Sequence, residues 1–169
     1  MSASADPTLD RLFRQEVWVL RKLFAFLRSV PEDVLAMTAP NTGWDVSVLL
    51  THIVSASVTY AARIDGRPDA DLQPPDTHAD LAAMEVEAIA AAERLRELAA
   101  EGSDAEVVEV DGERTWRYPR SLILAQSIYH AIEHRAQLFG VLTANGVAGL
   151  TLDDLDHWTY GGDEGVLSS

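Results

Sequence analysis

No cysteine occurs in the 169 residues, so neither a disulfide nor a thiolate metal site belongs to this protein. Lysine is scarce too, Lys22 standing alone among the 13 basic residues, which face 27 acidic ones for a formal net charge of −14. A chain this acidic repels phosphate backbones and anionic lipid, and no basic stripe breaks the pattern, so neither nucleic acid nor a membrane is an expected partner. No uninterrupted apolar run approaches the length of a membrane span. The opening, Met1 to Pro7, lacks the basic and apolar regions of a secretory signal, and the expected location is the cytoplasm.

What is present is the composition of a folded globular chain, 47% hydrophobic and 24% charged, at the length of one domain, read as residues 1–169. Asp6-Pro7 supplies an N-cap and a first-turn proline, and Leu9, Leu12, Phe13, Val17, Leu20, Phe24 and Leu27 recur at helical spacing until Pro31. Asn41-Thr42-Gly43 reads as a turn, and a second helix starts near Trp44 or Asp45 and ends by Asp65-Gly66. Pro68, Pro74 and Pro75 mark an extended crossover that contains His78, expected to be exposed. Thr77 and Asp80 resemble a capping box opening a third, alanine-rich helix to about Ala100.

Asp111-Gly112 between valines and alternating charges predicts a β-hairpin, with Glu109 opposite Arg114 and Glu106 opposite Arg117. Pro119 opens a fourth helix that stops at Asn145-Gly146, and Thr151 with Asp154 begins a short fifth. The fold class is all-α: a four-helix bundle with a short hairpin before the fourth helix and a short C-terminal helix. The long crossover allows the second and third helices to run parallel.

His130 and His134 lie four apart on the fourth helix, so both rings project from one face and can meet a single ion. Ile123, Gln126, Gln137 and Val141 continue that stripe, which points inward. Two histidines at this spacing are more often ordinary core or surface residues than ligands. His52, a polar ring among the apolar residues of the second helix, adds weight because it needs a partner there. Glu16, Arg135 and Gln137 are candidates to orient such a site, against plainer roles at the edge of the core or on the surface. His130 to His134 also spells His-x-x-Glu-His, the inverzincin protease pattern, in which Glu133 would activate water. His157, Trp158 and Tyr160 either line the mouth of the site or staple the terminal helix.

Trp44-Asp45-Val46 leading to Leu50-Thr51-His52-Ile53, and His130-Ala131-Ile132-Glu133-His134-Arg135-Ala136-Gln137 followed by Leu142 and Gly146, resemble the DinB-like metalloprotein superfamily over nearly the whole chain. The resemblance implies an up-down-down-up bundle and one divalent metal ion on His52, His130 and His134, zinc or nickel ahead of iron or manganese. It implies a metal-dependent transferase that joins a low-molecular-weight thiol to a small electrophile, since the superfamily includes bacillithiol transferases and mycothiol-dependent maleylpyruvate isomerases. It also implies a homodimer. The alternatives are a metal-stabilised binding or stress-response protein without turnover, and a metal-dependent hydrolase.

Overall fold

The computed structural model describes residues 6–40, 42–102 and 104–167, so Asn41 of the expected turn lies outside the described residues. Helix α1 (Pro7–Ser29) starts as expected: the Asp6 side chain accepts from the backbone N–H of Thr8 and Leu9, and Pro7 occupies the first turn. A 3₁₀ turn (Glu32–Ala36) then leads to α2 (Val46–Asp65), whose cap Asp45 accepts from the Val48 N–H at 2.8 Å. Gly66, at φ +66°, ends α2 in the left-handed conformation, and the Arg67 N–H closes back onto the Ala62 carbonyl at 2.8 Å.

The proline-rich crossover is extended, and the capping box predicted at Thr77 and Asp80 opens α3 (His78–Ala100). His78 is therefore the first residue of a helix rather than part of the link. Its ring is half-buried, with Nε2 3.0 Å from the Val30 carbonyl, and the His78 backbone N–H donates to Glu32 at 2.7 Å.

Two antiparallel strands follow, β1 (Glu106–Asp111) and β2 (Arg114–Pro119), and β2 runs directly into α4 (Arg120–Ala144). The expected register is displaced by two residues. Asp111 pairs with Arg114, so Gly112 and Glu113 form the turn and Glu109 faces Trp116 rather than Arg114. Gly112 takes the positive φ, +57°, at the first turn position, which moves the turn one residue along. An even shift leaves each side chain on its face. Arg117 therefore still reaches Glu106, now diagonally, at 2.7 Å.

Thr151 and Asp154 bond to one another across a 3₁₀ turn (Asp153–Leu155), not across the start of the last α-helix. That helix, α5 (His157–Asp163), is capped by Asp156. Tyr160 is buried against Trp18, with ring centroids 5.3 Å apart, and the Trp18 indole donates to Asp163 at 3.1 Å. The Tyr160 ring thus staples α5 to α1, while His157 and Trp158 are exposed.

One cluster of buried residues gathers Phe13 from the start of α1, Ala61 from the end of α2, Leu95 and Leu98 from the end of α3, and Leu124 and Ile128 from the start of α4. These residues share one end of the bundle, so α1 and α4 run one way and α2 and α3 the other. Ion pairs confirm the directions: Arg96 meets Asp10 at 2.9 Å across antiparallel α1 and α3, and Arg94 meets Asp65 at 2.7 Å across parallel α2 and α3. The order is up-down-down-up. The larger core fills the opposite end, where Leu27, Val46, Leu81 and Leu142 meet.

Among the described residues α2 is the one helix long and apolar enough to cross a membrane, with a mean hydropathy of 1.2 over its most apolar stretch. Alanines, valines and leucines reach that mean around interspersed Thr51, His52, Ser55 and Ser57. Half of the stretch is buried within the bundle, as befits a core helix.

Between α1 and α4 the most buried polar contact is an ion pair, Arg135 Nη1 donating to both carboxylate oxygens of Glu16 at 2.9 and 3.0 Å. Both side chains are 9% exposed. Glu16→Ala should cost about 3–5 kcal/mol in urea denaturation by leaving the guanidinium buried and uncompensated. The double change Glu16→Leu with Arg135→Met should cost much less. Equal losses in the two proteins would contradict this role.

Candidate metal centre and adjoining cavity

His130 and His134 leave α4 on one face, as the four-residue spacing requires, and antiparallel α2 carries His52 to them. One ligating nitrogen from each ring lies within 4.8 Å of the others. Ring centroids are 4.7 Å apart for His52 and His130, and 4.4 Å for each of the other two pairs. All three side chains are half-buried.

Burial pushes the His130 pKa down to about 4, and the neighbouring imidazoles push in the same direction. His52 is lowered as well, first by burial and then by His134. The lowered values leave His52 and His130 with neutral nitrogens near pH 7. Gln137 Oε1 accepts from His134 Nδ1 at 3.0 Å, which leaves Nε2 as the free lone pair. Neutral, converging, part-desolvated imidazoles with an oriented tautomer fit a borderline divalent ion.

Of the residues considered as orienting groups, Gln137 reaches a cluster histidine, whereas Glu16 and Arg135 engage one another across the α1–α4 contact. Glu133 is exposed on α4, where the inverzincin pattern would need it beside the ion. His157 lines a separate cavity of about 260 Å³ between α1 and α4, together with Glu16 and Arg135.

Trp44 was not among the expected site residues, yet its ring lies 4.9 Å from His52 and 6.0 Å from His134, nearly parallel to the latter. The Thr42 hydroxyl holds it there, donating to the Trp44 carbonyl and accepting from its N–H at 2.8 and 3.0 Å. Next to the cluster a cavity of about 310 Å³ opens between α2, α4 and the hairpin. Tyr60 and Arg63 line it from α2, Leu122, Ile123 and Gln126 from α4, and Glu109, Trp116 and Tyr118 from the strands. Tyr60 joins cavity to cluster, its ring standing edge-on to His130 at 6.0 Å.

A signal for the helical walls was present: His52, Ala56, Tyr60 and Arg63 follow one another at helical spacing, as do His134, His130 and Gln126. The hairpin wall carried no such signal, because its approach to α2 is a long-range contact. Alternation places Glu109, Trp116 and Tyr118 on the strand face that lines the cavity, and Val108 and Val110 on the exposed one.

A model of the DinB family matches residues 1–164. The crystal structure of a DinB family member from Shewanella denitrificans superposes over 88% of this chain and 88% of that one, with a TM-score of 0.57 at 15% identity, which establishes likeness of fold. No curated protein matches the chain.

Unfolded histidine takes up its proton near pH 6.5, whereas His130 in the fold does so near pH 4. Between these values the unfolded chain binds more protons than the native one, so the metal-free protein should lose stability as pH falls through the window. His130→Gln should flatten that part of the profile in urea titrations at stepped pH. An unchanged slope would contradict the neutral, desolvated ring.

Proposed function

The chain belongs to the DinB family, and from that premise we propose a metal-dependent transferase that joins a low-molecular-weight thiol to a small electrophile, with one divalent ion on His52, His130 and His134. The carrying observation is the convergence of three half-buried imidazoles at the edge of a cavity. Zinc or nickel suits this donor set best, with iron and manganese next. A bound ion would supply Lewis acidity, favouring the deprotonated form of a thiol or water beside it.

The chain's own residues do the rest. Gln137 fixes the His134 tautomer, Trp44 covers the cluster on one side, and Tyr60 sets the cavity next to His130. In the proposed reaction the thiol loses its proton, a carbon–sulfur bond forms on the electrophile, and the displaced electron pair leaves with a leaving group or takes up a proton. The outward position of Glu133 favours this over peptide hydrolysis. A binding protein without turnover would use the same cluster, and a thiol-plus-electrophile screen separates the two. Turnover should appear with zinc or nickel, vanish with chelator and return on adding metal back. Binding without turnover across thiols and metals would favour the second reading.

The proposal extends to a cytoplasmic location and to a homodimer. Leu122, Ala125, Tyr129, Ile132 and Ala136 form an exposed stripe on α4 with the alternating three- and four-residue spacing of a helix-pairing seam. Antiparallel self-pairing about its centre sets Tyr129 against Ile132 and Ala125 against Ala136, bulky to bulky and small to small. Light scattering at micromolar concentration should give a dimer mass that Ile132→Glu converts to monomer. A monomeric wild type would contradict it.

A further inference from the structure

Arg63 is the one basic residue lining the cavity beside the histidines. Among the described residues its guanidinium makes no hydrogen bond. It faces Glu109 in a loose ion pair, Nη2 lying 3.4 Å from Oε1, while the other oxygen of that carboxylate accepts from the Tyr118 hydroxyl at 2.5 Å. Among the described residues, the buried Arg63 Nε has no acceptor. A buried donor without an acceptor is unfavourable and calls for a partner, such as a water, an ion or a ligand. Among the described residues the Nε atoms of Arg14 and Arg120 are buried without an acceptor as well, but each of those guanidiniums meets a carboxylate at 2.6 Å through another nitrogen, as Arg94, Arg96 and Arg135 meet theirs at 2.7 to 2.9 Å.

The walls around Arg63 are aromatic, with Tyr60, Trp116 and Tyr118 offering flat apolar faces and the volume, about 310 Å³, admitting a small molecule. Arginine presents its donors in a planar fork suited to a carboxylate, and it is a local positive charge in a chain whose net charge is −14. We infer that the electrophilic substrate is a small, flat, aromatic or conjugated carboxylate, held by its anionic end on Arg63 and by its apolar body along Tyr60 and Trp116. This rests on the reading of the cavity as the substrate site of the proposed transferase. It adds that Arg63 sets specificity by charge while the histidines hold the ion.

Benzoate and the uncharged isostere benzamide are suitable probes, titrated into the full chain with zinc and again after chelation, and followed by tryptophan fluorescence and ligand NMR line broadening. Benzoate should bind at least tenfold more tightly than benzamide in both states. Arg63→Met should erase that preference while leaving benzamide binding and zinc affinity unchanged. Arg63→Lys, which keeps the charge without the fork, should keep part of it, and circular dichroism should show both variants folded. Equal binding of the two probes, a benzoate preference that survives Arg63→Met, or no saturable benzoate binding at millimolar concentration would each overturn the inference. A benzoate preference in a protein that fails to bind zinc would uphold it and defeat the metal reading instead.

Discussion

The antiparallel apposition of α2 and α4 is the contact on which the candidate centre depends. It alone brings His52 to His130 and His134, and the burial it imposes keeps His130 neutral down to about pH 4. Removing imidazoles from water is unfavourable unless their nitrogens find partners. His134 has Gln137, and one ligating nitrogen from each ring lies within 4.8 Å of the others, a set that could hold one cation. The same two helices continue past the cluster to form cavity walls, so the packing that assembles the histidines also places a space of about 310 Å³ beside them.

Local signals were legible wherever the physics was local. The Asp6 and Thr77 caps, the Pro119 opening, the Gly66 stop and the four-residue spacing of His130 and His134 depend on neighbours in sequence, and the structure reproduces each. The hairpin was legible but its register was not, because the two-residue displacement follows from which turn position Gly112 takes. The proline-rich crossover, too long for a tight turn between antiparallel neighbours, allowed parallel α2 and α3, and the full up-down-down-up order was implied by the family resemblance.

Less legible were contacts between distant elements. Glu16 and Arg135 are 119 residues apart, and sequence spacing alone left both between orienting the histidines and plainer places at the core edge or on the surface. They instead lock α1 to α4, since position 135 faces α1 once 130 and 134 face α2. The strand wall of the cavity was likewise invisible, although Tyr60 and Arg63 continue the His52 stripe on α2.

His52 links the fold to the chemistry, because no local feature of α4 explains its position. Competitive chelator titration of zinc against wild type and His52→Ala, with circular dichroism to verify the helices, tests the three-histidine centre most directly. Loss of a direct ligand should lower affinity by more than the roughly ten- to hundredfold typical of removing a group that only orients one. A folded His52→Ala protein that binds zinc as tightly as wild type would contradict the assignment.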